Sequence, residues 1–350
     1  MITTNCKTVI NHAALMFFVT AILLFPASTA HVDGSESLKG KAFSDPSYVL
    51  KMPDEWINQN VKYEQWAKNS DIAITLDQNL YPALFSLIDK YAKDNGLKIS
   101  VNEGTCGISA GLLFRKAVDM AGFCCPPAKT DRFPGLRYHT VGIGALAILV
   151  HPDNAVNNIT FKQARQIYQG KITRWSDLVT KEKRKISALP IKPVARLHCK
   201  TRPGHWRLLL DNDDLFGIQT KTVGSIEDVM LAVYENPAVI GGTETLYMAH
   251  YRYSQKRKLK PLRINGYSPE EPAHLISGNY PLYFTYNITT WEREGNRNLH
   301  IQKLVEYILN HSEQIGARFG ITPATMLRKA GWKFKGNELI GEPDREAHKE

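Results

Sequence analysis

Ile72-Ala73-Ile74-Thr75-Leu76 opens the stretch that decides the fold, and Val118-Asp119-Met120-Ala121-Gly122-Phe123 closes it. The first run is short, apolar and rich in β-branched residues, as a buried strand is, and Asp77-Gln78-Asn79 ends it. Tyr81 to Asn95 follows with apolar residues at Leu84, Leu87, Ile88 and Tyr91, the spacing of a helix that Asn95-Gly96 stops. Leu97 to Val101 reads as a second strand, Glu103-Gly104-Thr105-Cys106-Gly107 as a glycine-bearing turn, and Ile108 to Lys116 as a helix. The third strand, Val118 to Phe123, ends in the turn Cys124-Cys125-Pro126-Pro127. Strand and helix alternating at this spacing predict an α/β fold with a parallel sheet and right-handed crossovers.

The same alternation continues outward. Leu146 to Val150 is a further apolar strand, and Thr160 to Tyr168 and Ser176 to Lys181 are helical. Ile191 to Leu197 begins a second series, whose helix starts near Gly204 and carries Trp206, Leu208, Leu209 and Leu210. Ile226 to Glu235 reads as a helix, Pro237 to Gly242 and Pro281 to Tyr286 as strands, and Leu299 to Phe319 as a long helix. Trp175, Trp206 and Trp291 are expected in cores. Residues 31–69 read as a polar, loosely packed lead-in, and residues 336–350 as a charged tail that frays.

The first 30 residues read as an export signal. Lys7 precedes a nearly unbroken apolar run from Ala13 to Phe25, and Ser28-Thr29-Ala30 offers small residues for cleavage near Ala30. The run is about half of what a spanning helix needs, and no later segment is long and apolar enough to cross a membrane. Cys6 leaves with the signal, so four of the five cysteines remain, Cys106, Cys124, Cys125 and Cys199, in an oxidising compartment. Three pairings are open to them; a bond between the adjacent Cys124 and Cys125 is strained, which favours Cys106 with one of the two. The net charge is +10, or +9 without Lys7. A basic exported chain suits a small anion or an acidic partner surface. Export sets nucleic acid aside, and the basic run from Arg252 to Arg263 reads as a solvated loop.

Two chemistries are legible in the turns. A loop entering a helix presents free N–H groups and a partial positive charge to an anion. Thr105 to Ile108, where Gly104 and Gly107 allow close approach, is one such loop, and Gly204-His205 before Trp206 is another. Arg196 or Arg202 can clamp oxygen atoms, with Lys200 adding charge. Thiols and imidazoles define the second chemistry: Cys106, Cys124, Cys125 and Cys199, with His198 and His205, suit zinc, Cu(I) or an arsenite-like metalloid. Structural disulfides are the plainer reading of the same cysteines. Asp119, inside a strand, is placed to orient loop backbone. His139, His151, His250 and His274 stand isolated and read as surface or hydrogen-bonded residues. No CxxC, CxxCH or Cys/His/Asp spacing marks an enzyme or a cofactor site; a thiol enzyme using Cys106 and His205 is the remote alternative.

A resemblance then becomes visible. Val150-His151-Pro152-Asp153-Asn154, Ile159 to Ala164, and above all Ile167-Tyr168-Gln169-Gly170-Lys171-Ile172-Thr173-Arg174-Trp175-Ser176-Asp177-Leu178 resemble the periplasmic phosphate-binding proteins of ABC importers. Asn236 to Gly242 and Asn279 to Tyr283 continue the likeness, which covers roughly Asp71 to Trp332. It implies the two-lobed periplasmic binding fold, with residues 70–148 and 270–335 in one lobe, residues 149–269 in the other, and a ligand cleft between. It also implies a monomer in the periplasm that binds a small anion and docks on an ABC permease in the inner membrane. By position, the ligand loops are Asn79, Leu80 and Tyr81; Thr105, Cys106 and Gly107; Cys124 and Cys125; and Arg196, Cys199, Arg202, Gly204 and His205. The departures lie in these loops. Phe123, Cys124 and Cys125 stand where the family carries serine and a proton-accepting aspartate, and His205 stands in place of a threonine. The expected function is capture of a phosphate-like oxyanion for import. Its alternative is a receptor for a thiol-binding metal or metalloid through Cys106, Cys124, Cys125, Cys199 and His205.

Overall fold

Leu136–Val150 is a 15-residue strand that ties the two halves of the protein together. The structure is a computed structural model that describes residues 45–178, 189–198, 205–245, 258–293, 295–315 and 319–344. In chain order the strands are β1 (Ile72–Asp77), β2 (Ile99–Gly104), β3 (Met120–Phe123), β4 (Leu136–Val150), β5 (Asn158–Ile159), β6 (Lys192–Ala195) and β7 (Lys221–Thr222). They continue as β8 (Val239–Thr245), β9 (Lys260–Pro261), β10 (Arg263–Ile264), β11 (Tyr283–Trp291), β12 (Ile321–Pro323), β13 (Lys333–Lys335) and β14 (Glu338–Gly341).

The main sheet runs β2-β1-β3-β11-β4-β8-β6-β7. At one end β1 pairs in parallel with β2 and β3; at the other β6 pairs in parallel with β7 and β8. Between them β11 and β4 run antiparallel to each other and to their neighbours, so each parallel set forms one lobe and β4 and β11 pass between the two. The fold is α/β and two-lobed, as expected. Every residue of β1, β3 and β8 is buried, which is why each strand opens on apolar residues, with the polar Asp77 and Glu244 falling at the carboxyl ends of β1 and β8.

Local signals set several boundaries. The helix after β1, Leu80–Asn95, ends at Gly96, whose φ of 63° is the left-handed conformation that closes a helix. Thr160 and Ser225 cap the helices Phe161–Tyr168 and Ile226–Glu235, each with a reciprocal capping box. Trp175, Trp206 and Trp291 are all buried, as expected.

Other expectations change. The strand expected at Leu146 to Val150 begins at Leu136, and that expected at Pro281 to Tyr286 ends at Trp291. The polar residues that masked both strands pair with one another: Thr140 donates to Asn287 (2.8 Å), and His139 Nε2 meets Thr290 at 3.1 Å. The helix expected to reach Phe319 stops at Asn310, where a short 3-10 turn over Ser312–Gln314 takes over. Ser176 to Lys181 begins as a 3-10 turn at Trp175–Asp177 and then passes outside the described residues.

The lead-in is not loose where it is described. Trp56 lies 5.3 Å from the Phe133 ring and 6.0 Å from Trp291, and the buried Lys116 sits 4.5 Å above the Trp56 ring. Lys116 Nζ donates to the carbonyls of Ile57 (3.0 Å) and Gln59 (2.6 Å). The tail is also ordered through residue 344. Strand β14 pairs with β13, Glu338 forms a buried ion pair with Arg132, and Tyr283 donates to Glu342 at 2.8 Å. Charge suggested fraying at positions where the acidic groups are instead buried against partners.

Candidate functional site

The site grows from the carboxyl ends of the parallel strands, where α/β sheets hold their ligands. Strand β2 ends at Gly104, and Thr105 caps the next helix, its Oγ1 accepting from the Ile108 N–H at 3.3 Å. This cap starts the helix at Cys106, two residues before the expected Ile108, and it runs to Phe114. Thr105, Gly107 and Ile108 are exposed, whereas Cys106 and Ser109, three apart on one helix face, point inward. Ser109 Oγ lies 3.4 Å from Thr75 Oγ1.

Cys106 meets the turn after β3. Its Sγ is 3.4 Å from Cys124 Sγ, and the sulfurs of Cys106, Cys124 and Cys125 all lie within 4.8 Å of one another. All three cysteines are buried and none of them is in a disulfide, so the expected pairing of Cys106 with Cys124 or Cys125 is a contact between thiols. The turn is held from the crossover strand: Asn287 Nδ2 donates to the Cys125 carbonyl at 2.9 Å.

Asp77 closes the floor of the site at the end of β1, opposite Gly104 in register. Its Oδ1 accepts from the Asn79 N–H at 2.8 Å, while its buried Oδ2 has no hydrogen-bond partner among the described residues. Burial, and then the neighbouring Cys106, hold the Asp77 carboxyl well above the ordinary carboxylate range. Asn79 is buried beside it, and its Oδ1 accepts from Thr245 Oγ1 at 3.2 Å. That bond joins the turn after β1 to the end of β8, one lobe to the other. Leu80 is fully buried in the core, so its side chain is withdrawn from any ligand, and Tyr81 packs on Phe85 of its own helix at 5.2 Å.

The loop from the second lobe differs most from expectation. Arg196 does not stand as an open clamp: Nε donates to Glu244 Oε1 at 3.2 Å and a terminal nitrogen to Oε2 at 3.3 Å. Arg196 also donates to His198 Nε2 at 3.3 Å; arginine has no acceptor, so His198 carries its proton on Nδ1 and donates it to the Arg196 carbonyl at 3.0 Å. The helix expected to grow from Gly204 and His205 is a single turn, Trp206–Leu209, too short to gather a useful dipole. His205 is buried at a φ of 49°, its ring 4.9 Å from His198 and 5.6 Å from Phe284. Cys199, Lys200, Arg202 and Gly204 lie outside the described residues, as does His250. The described thiol cluster does not include His205.

Asp119 serves the amino ends of the same strands, away from the site. It precedes β3, and its Oδ2 accepts from the Ala73 N–H at 2.8 Å and from the Tyr63 hydroxyl. His139 and His274 are hydrogen-bonded, as expected of isolated histidines. Sequence reading passed over Asp77, Glu244 and Asn287. The available signal was a charged or amide residue inside or ending a buried strand, which demands a partner.

These two lobes, with turns from both meeting where β4 and β11 cross, define a solute-binding architecture. The chain belongs to the PBP superfamily, whose domain model matches residues 62–310. It is 22% identical over 290 residues to the phosphate-binding protein PstS of Bacillus subtilis, covering 81% of this chain and 85% of that one. It is 24% identical over 165 residues to phosphate-binding protein PstS 2 of Streptococcus agalactiae, a match covering 44% of this chain and 55% of that relative's length. Among solved structures it is similar to an ABC-type phosphate transport receptor from Vibrio cholerae, with a TM-score of 0.57 at 17% identity over 72% of this chain and all of that one (100%). It is also similar to a phosphate ABC transporter substrate-binding protein with bound phosphate from Clostridium perfringens, with a TM-score of 0.59 at 15% identity over 72% of this chain and 99% of that one. At these identities the structural likeness shows the fold. Among the described residues no helix is long and apolar enough to cross a membrane.

Proposed function

We propose that this chain is an exported periplasmic receptor that captures a small oxyanion between its lobes and delivers it to an ABC permease. The observation that carries the reading is the start of the Cys106–Phe114 helix. Thr105 and Gly107 are exposed there, at the carboxyl end of a parallel strand, on a helix long enough to present N–H groups and a partial positive charge. The net charge, +10 for the full chain and +9 without Lys7, favours an anion on approach. Relatives named for phosphate binding support the same class of ligand. The protein works as a monomer, without cofactor, nucleic acid or turnover.

The grip differs from a guanidinium clamp. Glu244 already engages Arg196, so the anion is held by backbone N–H groups and the Thr105 hydroxyl. Calorimetric titration of the mature chain with phosphate, sulfate and arsenate tests this. Saturable binding of one of them, weakened about tenfold or more by Thr105→Val and restored by Thr105→Ser, is expected. Absence of binding to every oxyanion, or the same affinity in Thr105→Val, sinks the reading.

A further inference from the structure

Anion capture by a helix start needs no sulfur, yet three sulfurs converge directly behind this one. Cys106 comes from the first turn of its helix, and Cys124 and Cys125 from the turn after β3. Free cysteine is an ordinary core residue when it stands alone. Three buried thiols from two elements, all within 4.8 Å, form a ligand set. Asp77, with a buried oxygen that lacks a hydrogen-bond partner among the described residues, lies beside Cys106.

We infer that Cys106, Cys124 and Cys125 form a covalent site for a trivalent thiophilic metalloid hydroxide of the arsenite class, bound through all three sulfurs. This goes beyond the anion reading and does not depend on it, because arsenous acid is neutral in neutral water and is held by bonds to sulfur.

Geometry selects the coordination. Bonds of about 2.3 Å from sulfur to a central atom put the sulfurs roughly 3.3 Å apart at right angles and about 3.8 Å apart at the tetrahedral angle. The 3.4 Å between Cys106 and Cys124 lies at the pyramidal end, which suits a trivalent centre carrying a lone pair. Cys125 supplies the third sulfur, within 4.8 Å of the other two.

Charge selects the element class. Three thiolates on a trivalent centre are neutral, on a divalent ion they leave one negative charge, and on Cu(I) they leave two. Uncompensated charge is costly in a buried site, so the neutral complex is favoured. The binding step balances without a redox partner. Arsenous acid condenses with three thiols; three As–S bonds form, three As–O bonds break, and each thiol proton leaves with a hydroxide as water. No electrons are exchanged.

The test is titration of the mature chain, reduced with a phosphine and freed of it under nitrogen, with sodium arsenite. Native mass spectrometry should show one arsenic per chain with the loss of three hydrogens, and X-ray absorption should count three sulfur neighbours. Cys124→Ser and Cys125→Ser should each weaken binding by more than the roughly 10–100-fold that outer-shell changes cost at metal sites. Thermal melts establish that each variant is folded, and phosphate titration of the same samples reads the anion site separately. The inference is overturned by two sulfur neighbours or by preference for Zn²⁺ or Cu(I) over arsenite. Failure of fully reduced, folded protein to take up arsenite overturns it equally and leaves the anion reading standing.

Discussion

Arg196 and Glu244 form a two-point ion pair, with Nε to Oε1 at 3.2 Å and a terminal nitrogen to Oε2 at 3.3 Å, and the Glu244 side chain is only 2% exposed. The pair links the residue after β6 to the penultimate residue of β8, the parallel neighbour that pairs with it. An arginine that looks from sequence like a ligand clamp therefore has its charge matched within its own lobe.

Breaking such a pair leaves a buried charge, at a cost of about 3–5 kcal/mol. Arg196→Ala and Glu244→Ala should each lower unfolding free energy by an amount of that order in urea melts. The double variant should be less harmed than the sum of the two, because neither charge is then stranded. A large loss of ligand affinity in Arg196→Ala with unchanged stability would return Arg196 to the ligand.

His139 sets a pH dependence on the acid side. Its ring is buried between Thr290 (3.1 Å from Nε2) and Asn337, whose amide donates to Nδ1 at 3.3 Å. Burial, with a smaller contribution from Arg137, lowers its pKa from 6.5 to about 4. Because the unfolded chain takes up the proton first, the His139 contribution is intact above about 6.5 and is lost as pH falls towards about 4. The loss should reach roughly 3 kcal/mol. Urea melts across this range should show the parent weakening on acidification, with a shallower slope in His139→Gln.

Much of this architecture is legible in local pattern, because buried parallel strands open on apolar runs and capped helices announce their starts. Strand β1 and the Ile226–Glu235 helix fall where the spacing puts them. The crossover strands were only half visible. His139, Thr140, Asn287 and Thr290 look like loop residues until each is seen to face a partner on the other strand. The convergence of Cys106 with Cys124 and Cys125 follows from the order of parallel strands, so sequence could raise it. The Glu244 partner of Arg196 could not be foreseen, since it depends on the β6–β8 pairing.

Gly142 fixes the close approach of β12 to β4. It pairs with Pro323, and a Cβ there would run into the Thr322 carbonyl oxygen and lie 2.8 Å from Ile321 Cγ2. Backbone cannot swing aside as a side-chain tip can, so the strands must separate. Gly142→Ala should lower stability by about 2 kcal/mol or more and should loosen β12, seen as faster amide exchange at Ile321 and Thr322. An alanine variant as stable as the parent would show that the crossover strand has slack.

Asp119 gives a pH dependence of the opposite sign. Its carboxyl is raised from 3.8 chiefly by burial, against hydrogen bonds from Tyr63 and the Ala73 N–H that favour the charged form. Tyr63 is raised in turn by burial and by Asp119, so both groups resist negative charge in this corner. The folded protein therefore holds the Asp119 proton more tightly than the unfolded chain does. Its contribution is most favourable below 3.8 and declines as pH rises through the folded value. Asp119→Asn keeps an oxygen to accept from Ala73 and removes the charge. It should be at least as stable as the parent at neutral pH and should lose that advantage in acid. If Asp119→Asn instead unfolds readily at neutral pH, the ionised carboxylate is required by Tyr63 and Ala73, and burial is the weaker influence.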